Sequence, residues 1–252
     1  FIVGHDGGSG YLVVDDTPAA SNTNGAVTRA NLGGGLVLGS GAGSYGGLQV
    51  LAGGKSFTYT SCHGSCVVEP VQLGVAGGTG EALVSGTGSI WYVSGDTSPV
   101  SGGVLGDPGD LQLGYSGKGV LTINDGGKVT LGQAAIDEIP PDNFSFQIVD
   151  FVDSVGDLHI AAQAGSEGVL NIGGAEGGAA QASGILAAAH AIFGAGAGRI
   201  NFNHLDTAYQ FDVVTEGAGK VNNYAGTTWL NGINTYSGET NLYGGALGLS
   251  NN

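Results

Sequence analysis

The chain has 52 glycines among its 252 residues, and 21 acidic side chains against six basic ones give a net charge of −15. Hydrophobic residues still reach 41%, enough apolar surface for a packed core, which argues against disorder. The charge disfavours nucleic acid and anionic lipid as partners, six prolines without a three-residue glycine period exclude collagen, and no apolar run approaches the ~20 residues of a spanning helix.

The chain opens on Phe1-Ile2-Val3-Gly4-His5-Asp6, without an initiator Met, and reads as a piece of something longer. From there a phrase recurs: an apolar residue, a glycine turn, then alternating apolar and polar positions. It runs Val3-Gly4 to Gly10-Tyr11-Leu12-Val13-Val14, then Leu38-Gly39 to Gly47-Leu48-Gln49-Val50, then Leu73-Gly74 to Gly80. Later copies are Leu113-Gly114 to Gly119-Val120-Leu121-Thr122-Ile123, Ala162 to Gly168-Val169-Leu170-Asn171-Ile172, and Phe193-Gly194 to Gly198-Arg199-Ile200-Asn201-Phe202. Their anchors at 4, 39, 74, 114, 162 and 194 are 35, 35, 40, 48 and 32 residues apart.

Period-two alternation predicts short strands with one face inward. A repeat of this length favours a solenoid, in which each copy stacks on its neighbour, over a Greek-key sandwich. The expected fold is all-β, a parallel β-helix. Two coils per repeat give roughly 14 coils and a rod on the order of 65 Å long, at about 4.8 Å per rung. The Ala-rich stretch Leu186 to Phe193 has helical propensity, but its place between strand phrases predicts strand.

Between the second and third copies lie the two cysteines, in Ser61-Cys62-His63-Gly64-Ser65-Cys66. The spacing favours a small structural disulfide between Cys62 and Cys66, suited to an oxidising compartment. The alternative is a metal site from Cys62, His63 and Cys66, for which no second Cys or His cluster completes four ligands. Further on, Gly102 to Leu111 has only a fragment of the calcium-binding nonapeptide pattern, and no tandem copy follows. The five histidines are scattered without an i, i+4 pair. No cofactor, no dedicated metal site and no catalytic residue is expected.

One segment breaks the repeat. Residues 134–158 carry six acids and no base: Asp137, Glu138, Asp142, Asp150, Asp153 and Asp157. The plain expectation is a lengthened coil with a solvated acidic loop. The functional expectation is a protrusion whose six carboxylates meet a partner, because loops on rigid scaffolds carry function.

The last third is more specific. Gly198-Arg199-Ile200-Asn201-Phe202-Asn203-His204, Tyr209-Gln210-Phe211 and Glu216 to Val221 lead to Tyr224-Ala225-Gly226-Thr227-Thr228-Trp229-Leu230-Asn231-Gly232. Asn234-Thr235-Tyr236-Ser237-Gly238 and Gly244-Gly245-Ala246-Leu247 follow. Residues 192–252 resemble the autotransporter-associated β-strand repeat, and the earlier phrases resemble those of AIDA-like autotransporter (type V secretion) passenger domains; Glu239 stands where the family commonly has a small residue. The resemblance implies a right-handed parallel β-helix and export from a Gram-negative bacterium to the cell surface or outer membrane, or secretion. It also implies a C-terminal β-barrel translocator outside this chain, and a barrel-proximal folding region at 192–252.

The expected function is non-enzymatic adhesion to a host-cell surface, an extracellular-matrix component or neighbouring bacterial cells. A second reading is a stalk presenting an upstream effector. A third is a carbohydrate-active β-helix enzyme, with Asp15-Asp16, Asp107/Asp110 and Asp150/Asp153 as its carboxylate pairs on paper.

Overall fold

A computed structural model describes residues 1–16, 29–33, 35–59, 70–95, 109–136, 148–153 and 155–250. Cys62, Cys66, Asp137, Glu138 and Asp142 lie outside them. The described residues hold 24 strands and no helix.

The strands, numbered in chain order, fall into four sheets. The first stacks β1 (Ile2–His5), β4 (Val37–Ser40), β7 (Val71–Val75), β10 (Leu111–Leu113), β14 (Leu158–Ile160), β17 (His190–Phe193) and β20 (Val214–Gly217). The second stacks β2 (Ser9–Asp15), β5 (Tyr45–Leu51), β8 (Thr79–Ser85), β11 (Lys118–Asn124), β15 (Glu167–Gly173), β18 (Ala197–Asn203), β21 (Lys220–Ala225) and β23 (Thr240–Leu242). The third contains β3 (Arg29–Gly33), β6 (Lys55–Tyr59), β9 (Ile90–Ser94), β12 (Lys128–Ile136), β13 (Ile148–Asp153) and β16 (Ile185–Ala187). The fourth, at the C-terminal end, is β19 (Tyr209–Phe211), β22 (Thr227–Leu230) and β24 (Ala246–Leu249).

In the first two sheets each strand pairs with the strand one turn of the chain later, in parallel throughout. The molecule is a parallel β-helix. The Ala-rich stretch is strand as expected, shared between β16 and β17.

Two expectations need correction. Each repeat makes one coil, not two: along the second sheet the register runs Gly10, Gly46, Gly80, Gly119, Gly168, Gly198. With eight rungs the stack is about 34 Å tall, roughly half the expected rod. The phrase pairs were consecutive faces of one coil. And β13 runs antiparallel to β12, pairing Gly132 with Asp153 and Ala134 with Phe151. β16 takes the first half of the same β12 edge, in parallel.

Inward ladders form the core. Val3, Leu38, Leu73, Leu113, Ile160 and Phe193 line the first sheet, and Val14, Val50, Val84, Ile123, Ile172 and Phe202 line the second. In the third, Trp91 is fully buried and its indole N–H donates to Thr58 Oγ1 at 3.0 Å. Each such aliphatic side chain contributes about 1.5–3 kcal/mol by burial.

The sharp turn from the first sheet into the second rests on glycine. At Gly39 (φ +69°) a Cβ would lie 1.9 Å from the Thr79 carbonyl oxygen, and at Gly74 (φ +72°) 2.1 Å from that of Lys118. Both the left-handed backbone and the approach of the next coil exclude a side chain there. In the fifth coil Gly114 aligns with Ala161, because Leu113 pairs with Ile160. The anchor is therefore Ala161 (φ +56°), one residue before the expected Ala162.

Candidate functional site

Outward side chains on a β-helix form rows, because every second residue of each rung points out and register neighbours stand about 4.8 Å apart. Two outward faces carry chemistry.

On the first sheet, Leu111, Leu158 and Ala191 are register neighbours, so the residues just before them, Asp110, Asp157 and His190, form one outward row. Gln72, Gln112, His159, Ile192 and Glu216 form the row two residues on. The Asp157 N–H donates to Asp110 Oδ1 at 2.9 Å, which fixes the Asp110 carboxylate. Asp110 Oδ2 lies 3.7 Å from His159 Nε2. Asp157 Oδ1 is 2.9 Å from His190 Nδ1, and His190 Nε2 is 3.9 Å from Glu216 Oε1. All five side chains are half-buried. The contact with Asp110 holds the His159 imidazole above its ordinary value, against the opposing effect of burial. One ligand atom each from Asp110, Asp157 and His159 lie within 4.8 Å of one another.

Of the six acids nominated in the sequence, Asp157 is the one whose side chain the structure places, and it sits in this row. Asp150 and Asp153 are on β13. Sequence reading missed His159, His190 and Asp110 as partners because it searched for helical spacing. The usable signal is separation by one coil: 47 residues between Asp110 and Asp157, and 33 between Asp157 and His190.

The second sheet's outer face holds grooves on either side of a strap, residues 174–180, whose Glu176 reaches Arg199 and Tyr224 of that face. Gln181 and Ser183 then rejoin the coil wall by bridging His204 and Asn124. The strap is tied down by Asn203 Nδ2, which donates to the Ala175 and Gly178 carbonyls at 3.2 Å, and by Asn124 Nδ2 donating to Gln181 Oε1 at 2.7 Å. On one side, a groove of about 360 Å³ runs past Tyr11, Tyr45, Glu81 and Gln181. Burial, then the Tyr45 hydroxyl's 2.6 Å hydrogen bond to Glu81, pushes that phenol's pKa up.

On the other side, a groove of about 380 Å³ is lined by Glu176, Arg199, Lys220, Tyr224, Glu239 and Tyr243, among others. Tyr224 and Tyr243 stack with centroids 4.9 Å apart. Arg199 bridges Glu167 (2.8 Å) and Glu176 (2.7 Å), and Lys220 meets Glu239 at 2.8 Å. Burial favours a raised Glu176 pKa, but Arg199 holds it below the usual carboxylate value. Beneath runs an amide ladder: Asn171 donates to Thr122 (3.1 Å), Asn201 to Asn171 (2.9 Å), Asn222 to Asn201 (2.8 Å) and Asn241 to Asn222 (3.0 Å).

Three basic residues of the second sheet thus pair with acids beside them, if the longer 3.8 Å contact of Lys118 with Glu167 is included. The strands of the first sheet contain no Lys or Arg. Its carboxylates therefore face imidazoles.

No known family profile matches the chain, and no solved structure matches it. Two curated proteins are similar. The adhesin BmaC autotransporter of Brucella suis biovar 1 (strain 1330) is 31% identical over an alignment of 203 positions that covers 67% of this chain. The uncharacterized lipoprotein YdeK of Escherichia coli (strain K12) is 31% identical over 148 residues, 56% of this chain. The chain spans only 5% and 10% of those two proteins' lengths. By sequence, then, the β-helix is distantly related to an autotransporter adhesin and to a bacterial lipoprotein.

Proposed function

We propose that this chain is a segment of an autotransporter passenger displayed at a Gram-negative cell surface, acting in adhesion without catalysis. The observation that carries the reading is the 31% identity to an autotransporter adhesin across 67% of a chain that is a parallel β-helix. The AIDA-like phrases and the C-terminal repeat over 192–252 belong to the same reading. A rigid stack with repeating outward rows sums weak contacts into avidity. The partner is a host-cell or matrix component or a neighbouring bacterium, and the acidic residues from Asp137 to Asp157 contribute contacts that weaken with salt.

The experiment is display of the full chain on a heterologous outer-membrane barrel in non-adherent bacteria. Adherence to host cells or matrix proteins above that of the barrel alone is expected, with a reduction on deleting residues 137–143. No gain over the bare barrel overturns the adhesive reading and leaves the stalk.

A further inference from the structure

We propose that Asp110, Asp157 and His159 form a binding site for a single divalent transition-metal cation of the zinc type on the outward face of the first sheet. Three observations carry it. Among the described residues these are the Asp/Glu/His/Cys group whose ligand atoms converge, all within 4.8 Å. Ligand atoms around a tetrahedral zinc stand about 3.3 Å apart, given bonds of about 2.0–2.2 Å. The 3.7 Å between Asp110 Oδ2 and His159 Nε2 is close to that separation.

The ligands are also braced. Asp110 is oriented by the backbone N–H of Asp157, and Asp157 by His190, which in turn meets Glu216. Hydrogen-bonded partners of this kind orient metal ligands and tune their affinity. The ligands come from neighbouring rungs of a packed parallel sheet, where the backbone register fixes the spacing between Asp110 and the Asp157/His159 pair.

The third observation is charge. Two carboxylates lie side by side on a sheet whose strands carry no Lys or Arg. A dication between them relieves their repulsion. One imidazole nitrogen with two carboxylate oxygens selects zinc-like cations over calcium or magnesium, which take all-oxygen shells. The three ligands leave a fourth position open to water or to a donor from a partner, so the site offers a cation-bridged contact on the face of the rod.

The test is calorimetric titration of the full chain with zinc, calcium and magnesium chlorides, beside the variants Asp110→Asn, His159→Gln and His190→Gln. Cys62→Ser/Cys66→Ser is the background, so that thiols contribute nothing. The expected result is one saturable zinc site. His159→Gln and Asp110→Asn each weaken it at least tenfold, and His190→Gln, one shell further out, weakens it less. Calcium and magnesium show no comparable binding. Unaltered far-UV spectra and melting of the metal-free variants establish that they fold. Zinc affinity unchanged in both ligand variants, or no saturable zinc binding in the thiol-free background, overturns the proposal.

Discussion

The first three coils and the last three solve the same stacking problem by different means. Between Ser9 and Ser85 successive rungs are 36 and 34 residues apart, whereas beyond Ala197 the spacing falls to 21 and 19. The long coils carry three sheets and aliphatic ladders, with glycine wherever one coil crosses close over the next. The short coils replace part of that with hydrogen bonding: the asparagine ladder, and a buried set in which His204 Nε2 contacts Thr228 Oγ1 at 2.8 Å and Thr228 donates to Asn223 Oδ1 at 3.0 Å. Apolar ladders tolerate small shifts, whereas a polar ladder fixes register, because a slip strands every amide at once.

The comparison breaks most sharply at the glycine notches. Gly74→Val puts a Cβ 2.1 Å from the Lys118 carbonyl oxygen and forces a β-branched residue to φ +72°. Left-handed strain of about 1–3 kcal/mol adds to overpacking of about 1–3 kcal/mol. The expected loss is about 4 kcal/mol, read by denaturant unfolding. Gly43 is the control: its φ is +76° but nothing lies within 4 Å of its Cβ position. Gly43→Ala then costs the backbone term alone, so equal losses at the two sites refute the close-approach account.

Next in size is a rung removed from each ladder. Leu73 is fully buried, and Leu73→Ala is expected to cost about 2–5 kcal/mol through lost burial and a cavity. Asn201→Ala leaves the Asn171 oxygen and the Asn222 amide without their partner, at about 1–3 kcal/mol for each buried group left unpaired. The two regions differ in how they repair. Asn201→Leu keeps the volume but makes neither bond, so it should recover little of the loss; full recovery means that the ladder is packing rather than hydrogen bonding.

Much of this architecture was legible in the sequence. The recurrence at 4, 39, 74 and 114 marked real coil corners, because glycine there is dictated by backbone contact. The copy with Ala161 in the left-handed region hid its own register, since no glycine marked it. Large apolar side chains in the last coils do not all turn inward. Phe202 and Phe211 are buried, but Trp229, Leu242 and Tyr243 are exposed, because period-two alternation does not say which face is inward once polar Asn222 and Asn223 are themselves buried. The Asp110–Asp157–His159 group was invisible for another reason: its members are 47 and two residues apart, and only the coil length makes 47 a contact distance.

His204 supplies a smaller, pH-dependent difference. It is fully buried, and burial pushes its pKa below the ordinary value despite Asp206 at 3.8 Å. Thr228 gives its proton to Asn223, so it accepts from Nε2–H, and the neutral imidazole has no hydrogen-bond partner at Nδ1. The unfolded chain binds a proton near pH 6.5 and the folded chain only below that. This contribution is therefore fully present above about pH 6.5 and is lost as pH falls toward the depressed folded value. Acid should melt the C-terminal coils before the N-terminal ones. His204→Gln, which keeps a donor for Thr228, should flatten the decline in melting temperature between pH 7 and pH 5; an unchanged slope assigns the acid sensitivity elsewhere.

The smallest effect follows from coil length itself. Closing a 20-residue turn costs less chain entropy than closing one of 36, by about 0.5 kcal/mol for each coil on the logarithmic scaling of loop closure. Over the two short rungs that end in β23, the advantage is about 1 kcal/mol, set against a core that buries fewer large side chains there. If closure entropy and the amide ladder outweigh the thinner apolar core, amides of Lys220–Ala225 exchange more slowly than those of Ser9–Asp15, and residues 198–252 are the last to unfold. The experiment that isolates the entropy is insertion of a flexible Gly-Ser segment of about 15 residues between Ile233 and Asn234, an exposed position on the outer turn. Lengthening this coil to match the N-terminal ones should speed exchange in Lys220–Ala225 about twofold and leave Ser9–Asp15 unchanged. A change of tenfold or more there means that the insertion has broken the Asn234 contact to the Thr215 N–H, at 2.9 Å, and that side-chain bonding rather than coil length holds the short coils together.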